Sequence, residues 1–232
     1  NLITAMANTS HQSSGVRVCG INPENEKLVT TIYSTIIDSS GSYFESDKKN
    51  QILISDNLAR NLEIVNFIIT DKTIETLKNL DVPENILTQL ETIKDEVFRN
   101  EKYLDEKLVE ILGENNQRKF KFIIVEYSQV FKLNSKINLT FQDNKGEMIN
   151  KAFKICGIYD SKNGVFDAMN VFVRAEDIND LSGYSINNAH QIAILLNNID
   201  DAELVKQKLS AKYPELDIQD YFDIDPFSAV MQ

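Results

Sequence analysis

Twice in its first sixty residues the chain runs a short apolar strand directly into a helix cap, and this junction constrains the fold more than any other feature. Gly15-Val16-Arg17-Val18-Cys19-Gly20-Ile21 alternates with the period of a strand. Asn22-Pro23-Glu24 then follows as N-cap, first-turn proline and first-turn acid. Ile52-Leu53-Ile54 is a short buried strand, and Ser55 or Asp56 caps a helix carrying Leu58, Ala59 and Leu62 on one face. Strands that feed helices in this way put sheet and helix around one core, and the fold class expected, on the resemblance given below, is α+β.

The remainder extends the scheme. Asn1 to Ala7 reads as a strand and the polar run Asn8 to Ser14 as a loop. Ile137 to Phe141 alternates, Asn144-Lys145-Gly146-Glu147 supplies turn residues, and Ala152 to Ile158 returns, which predicts a β-hairpin. Val171-Phe172-Val173 is another strand, followed by a helix over Glu176 to Leu181 that Gly183 stops. Gln191 to Leu196 reads as a strand, and Asp200 to Glu203 as a capping box. Leu204, Val205 and Leu209 form the buried stripe of a helix ending near Pro214, and Leu216 to Tyr221 completes a βαβ unit. Asp225 and Pro226 open one more helix over Phe227 to Gln232.

Between about Asn66 and Phe131 the pattern turns helical. Ile74, Leu77 and Leu80, then Ile86, Leu87, Leu90 and Ile93, then Leu104, Leu108, Ile111 and Leu112 before Gly113 fall at helix spacing. Their other faces are rich in Lys, Glu and Asp, as solvated helix surfaces are.

Length and charge remove whole classes of function. With 232 residues the chain holds one or two domains, and its net charge of -11 repels a phosphate backbone, so no nucleic-acid partner is expected. No apolar run approaches the roughly 18 residues of a membrane span. Cys19 and Cys156 lie far apart, each inside an apolar strand, where a thiol packs as a small hydrophobe; they form neither a disulfide framework nor a metal cluster.

Catalytic patterns are missing. The two histidines, His11 and His190, flank no G-x-S-x-G elbow, and the strand-to-helix turns at Asn22 and Ser55 carry no glycine-rich loop to cradle a phosphate. Asp217, Asp220, Asp223 and Asp225 cluster without the spacing of an EF-hand and read as caps and solvated charge. The expectation is therefore a non-enzymatic chain that binds no ATP, cofactor or metal.

From Ala152 to Met231 the sequence resembles the extracytoplasmic domain of FtsX-like ABC transporter permeases, the MacB-like periplasmic core domain, and within it the lipoprotein-releasing LolC/LolE branch. The strand Phe153 to Tyr159, the segment Phe166 to Val173, the helix at Ala175-Glu176-Asp177-Ile178 and the tail from His190 carry the resemblance. Gly15 to Glu24 and Ile52 to Ala59 fit as well, whereas the family passes directly from the Leu58-Ala59 helix to the Ile137 strand. Asn66 to Phe131 is thus identified as a helical insertion. Two departures stand out: Asn134-Ser135 replaces the usual glycine, and the hairpin arm that grips the lipoprotein carrier in LolC-like subunits is only a short turn.

The resemblance implies a porter-like βαβ subdomain (1–14 and 186–232), a sabre-like mixed α/β subdomain (15–65 and 132–185) and the helical insertion (66–131). It implies the periplasmic domain of an inner-membrane permease, excised from between two membrane helices and membrane-anchored in its full length. Its partners would be a cytoplasmic ABC ATPase, a second permease subunit and a lipoprotein or periplasmic carrier or adaptor. Asn144, Lys145, Gly146 and Glu147 at the hairpin tip are the expected partner-binding residues. The function implied is lipoprotein release; the alternatives are MacB-type efflux and mechanotransmission, or FtsX-type regulation of a cell-wall hydrolase.

Overall fold

The computed structural model describes residues 1–185 and 187–224. The helix expected at Asp225, Pro226 and Phe227 to Gln232 lies outside them. The chain divides into two compact units, Asn1–Gln191 and Ile192–Gln232.

The first unit is built on strands β1 (Leu2–Asn8), β2 (Ser13–Ile21), β4 (Gln51–Ser55), β8 (Lys136–Gln142), β9 (Met148–Tyr159) and β10 (Asn170–Arg174), with β3 (Ile36–Gly41) beside β9. Pairing runs β1, β2, β10, β4, β9, β8 and back to β1, so six strands close into a ring. The long strand β9 makes closure possible: Met148 to Lys154 pair with β8, and Lys154 to Tyr159 pair with β4 on the other edge. Closure removes the open edges that would otherwise invite aggregation.

Inside the ring lie Ile3, Ala5, Ala7, Val16, Val18, Ile137, Leu139, Phe141, Phe153, Ile155, Val171 and Val173, every second residue of each strand. β4 is buried along its whole length because both its faces are covered, which is why its apolar run shows no alternation. On the outer face, Leu53, Phe172 and Tyr159 form a second cluster with Phe44 and with Ile32 of the 3-10 turn Ile32–Thr35, which follows α1 (Pro23–Val29).

Both predicted caps form. Asn22 Oδ1 accepts from the Glu24 and Asn25 amides at 3.1 Å, and Ser55 Oγ accepts from Leu58 N at 3.1 Å to open α2 (Asp56–Asn61). α6 (Gly164–Met169) is capped by Asn163, and α7 (Ala175–Ser182) ends at Gly183, whose left-handed φ of 72° suits a residue without a Cβ.

The expected boundary at 14/15 falls inside β2. Leu2–Asn8 pairs with β2 along its whole length, so residues 1–14 belong to the same sheet as 15–65. The loop of this hairpin shrinks to four residues, closed by Thr9 N donating to Gln12 O at 2.9 Å.

Segment 66–131 has its own core, but it is not purely helical. β5 (Val65–Ile68) pairs antiparallel with β6 (Val97–Phe98) and β7 (Gln129–Phe131), because the chain enters and leaves the segment side by side. On this small sheet pack α3 (Asp71–Asn79), α4 (Glu84–Glu91) and α5 (Glu101–Ser128), burying Leu77, Leu87, Leu90, Leu104, Leu108 and Ile124, with Ile111 half-buried. Gly113, at φ 74° and ψ 158°, breaks α5, and the two halves fold back so that Lys121 bridges Glu101 and Asp105 at 3.2 and 3.0 Å.

The second unit corrects the sequence reading. Gln191 to Leu196 and Leu216 to Tyr221 are not strands, so no βαβ unit forms among the described residues. A strand exists only where its backbone finds a partner edge, and none among the described residues pairs with these segments. α8 (Ala202–Lys212) is present, but Leu204 is exposed and Val205 and Leu209 only half-buried; no residue of this helix is buried. Its entry is set by Asn198, which caps a 3-10 turn over Ile199–Asp201, and not by the expected capping box.

Candidate functional site

The hairpin tip between β8 and β9 is a tight, internally bonded turn. Asp143 Oδ1 accepts from the Lys145 and Glu147 amides, both at 2.8 Å, and Asp143 N donates to Glu147 O at 2.9 Å. Gly146 takes φ 82°. Of the four residues expected to meet a partner, Lys145, Gly146 and Glu147 face solvent. Asn144, also exposed, is anchored to the end of α7: its backbone N donates to Ser182 O at 2.9 Å and its Nδ2 to Gly183 O at 2.8 Å.

Beside this tip β1 and β8 close the ring. β1 and β8 pair only at Met6–Thr140, Ala7–Leu139 and Asn8–Asn138. A groove of about 550 Å³ is lined by Leu2–Met6, Gly15, Thr140–Gln142, Met148 and Tyr184. Among the described residues, no charged side chain lines it. At its end His190 lies edge-on to Tyr184, ring centroids 4.9 Å apart, and Nδ1 of His190 accepts from Leu2 N at 3.0 Å.

A second grouping was not legible in the sequence. Oxygens of Asp56, Asp160 and Asp167 lie within 4.8 Å of one another. The parallel pairing of Ser55 with Tyr159 puts the ends of β4 and β9 side by side, and Asp167 comes up from α6. Asp167 is buried and accepts from Ser161 N at 3.1 Å and Ser161 Oγ at 2.6 Å. The Lys162 ammonium beside Asp160, helped by the Lys162 backbone amide, holds its carboxyl below the usual range, and Arg60 Nε stands 3.8 Å from Asp56. The trio is the metal-coordinating spacing present among the described residues, yet its charge is already met by protein groups.

The cysteines are half-buried rather than fully buried, on the outer face of the ring. β10 and β4 stand between their strands, a span of about 14 Å at the usual strand spacing, so the two thiols do not pair. Burial raises Cys19 to about 11 and Cys156 to about 12, the opposite of what a nucleophilic thiol needs.

At the two strand-to-helix turns, the amides that would face a phosphate are occupied by the Asn22 and Ser55 side chains. In the second unit, Lys206 binds both Asp220 and Asp223, and the ammonium lowers the Asp223 carboxyl. Asp217 accepts from Gln219 Nε2 at 2.9 Å, and Asp225 lies outside the described residues.

No protein-family model and no curated protein sequence matches this chain.

Proposed function

We propose that the chain is the extracytoplasmic domain of an FtsX-like ABC transporter permease of the lipoprotein-releasing kind, a non-catalytic part that couples ATP-driven movement of membrane helices to a partner outside the membrane. The observation that supports this reading most is the succession of β8, turn, β9, α6, β10 and α7 along Lys136 to Ser182, the stretch where the resemblance is densest. No helix among the described residues is long and apolar enough to cross a membrane, so any spanning segment of such a permease would belong to other parts of the protein. Coupling needs a rigid body that receives motion, and a closed ring with two packed faces is stiff in that sense.

The finer assignment, a sabre-like ring with a porter-like tail, belongs to the same proposal. Its partner surface would be the hairpin tip at Lys145 and Glu147, which is short, rigid and exposed.

A photo-crosslinking residue in place of Lys145, in the full-length protein within its own membrane, tests the reading. Adducts with a lipoprotein or a soluble lipoprotein carrier are expected. Adducts with an efflux adaptor would favour the MacB-type alternative, and adducts with a cell-wall hydrolase the FtsX-type one.

A further inference from the structure

We propose that segment 192–196 is a self-pairing surface, through which two copies of this chain join as antiparallel strands. The inference rests on the exposure and charge of the segment itself and is independent of the transporter reading.

The segment has the residues of a strand and no strand beside it. Ile192 is 77% exposed, Ile194 59% and Leu195 67%; Ala193 is exposed too, and Leu196 is half-buried. None of these side chains belongs to a hydrophobic cluster of the described residues. Among the described residues, the backbone of 192–197 makes no hydrogen bond to another backbone group. Apolar side chains in water and an unmet main chain are both relieved by a strand laid alongside.

Charge decides whose strand it is. Residues 181–199 are the longest stretch without Asp, Glu, Lys or Arg, in a chain that is one-quarter charged and carries a net charge of -11. Two copies repel each other over most of their surfaces, and this stretch is where they can touch without bringing like charges together. A basic partner is drawn to carboxylates instead, and the stretch holds none. A second copy brings the same neutral, unmet run to the contact.

The register follows from the sequence. Laying 192–196 antiparallel on the whole of itself sets Ile194 opposite Ile194, Ile192 opposite Leu196 and Ala193 opposite Leu195. Ile192, Ile194 and Leu196 of both copies then share one face. Asp200 falls opposite Asn188 of the second copy, whereas a parallel pair in register would stack Asp200 on Asp200 and Asp201 on Asp201. A pair of strands alone is only marginally stable, so the association is weak and depends on concentration.

The test follows the mass of the whole chain by sedimentation as its concentration rises. The mass should climb towards that of two copies, and added salt should strengthen the association by screening the repulsion between acidic chains. Ile194→Lys and Ile194→Glu, on an exposed side chain outside the cores, should each weaken it by at least about tenfold, and an equal mixture of the two should restore it. Leu195→Glu should weaken it as well, and adding Ala193→Lys to that variant should restore it, since 193 opposes 195 in the antiparallel pair alone. A mass that stays at one copy, association lost on adding salt, or a dimer indifferent to Ile194→Lys would overturn the proposal. So would failure of the mixture, or of Ala193→Lys, to restore pairing.

Discussion

The side chain of Asn144 holds the C-terminus of α7: Nδ2 donates to Gly183 O at 2.8 Å, and the Asn144 backbone N donates to Ser182 O at 2.9 Å. One residue thus fastens the hairpin tip to a helix end 39 positions away in sequence. The tip is therefore a fixed feature of the ring surface and not a free arm.

Asn144→Ala should cost about 1 kcal/mol, the worth of a single exposed-end hydrogen bond. Gly183→Ala should cost more, since φ is +72° and a Cβ would stand 2.5 Å from Asn144 Oδ1. Urea unfolding of both variants measures this, and combining them should be less than additive because they share one contact.

Segment 65–131 should be removable. Lys132 N already donates to Ile64 O at 3.0 Å, so a two-residue turn can join these positions without moving the ring. The inserted core is a cluster of its own, with Phe131 as the side chain that packs against both, and the shorter connection lowers the entropy cost of closing the chain, by up to about 3 kcal/mol. A single cooperative melt of the shortened chain is the expected result; loss of cooperativity would make the two cores one.

Alkaline pH should destabilise the fold through its thiols. Unfolded cysteines ionise near pH 8.5, whereas Cys19 and Cys156 hold their protons to about 11 and about 12. Within that window the folded chain binds more protons than the unfolded one. Stability is complete below about pH 8.5 and falls by up to about 1.4 kcal/mol per pH unit per thiol as pH rises through it. Melting temperatures from pH 8 to 11 should drop less steeply in the Cys19→Ala, Cys156→Ala double variant. Burial also raises the Tyr159 hydroxyl, so a residual decline should remain at the top of the range.

Asp167→Ala should cost about 1 to 3 kcal/mol, because it strands the Ser161 amide and hydroxyl that the carboxylate accepts. Asp167→Asn keeps one acceptor oxygen and should cost less. Thermal unfolding at pH 7 distinguishes the two.

The local elements could be read from the chain because their causes are local. Asn22, Ser55 and Asn163 cap the helices that follow them, Gly183 and Gly113 stop or break helices, and β1, β2 and β8 alternate because one side faces the core. The expected binding turn at Asn144 to Glu147 is a turn for the same reason: Asp143 and Gly146 are turn chemistry. What these residues meet was not readable, since nothing near Asn144 in sequence announces α7.

Tertiary structure decided the rest. Closure of the ring depends on two parallel pairings, β2 with β10 and β4 with β9, between strands more than a hundred residues apart, and alternation says nothing about which strand lies next to which. The same pairing gathers Asp56, Asp160 and Asp167. Gln191 to Leu196 has the composition of a strand and is not one, while Asn66 to Ile68, at the start of the stretch read as helical, lies in β5. A helix satisfies its backbone within itself and can be read from its own residues; a strand takes its hydrogen bonds from a neighbour, and only the folded chain supplies that neighbour.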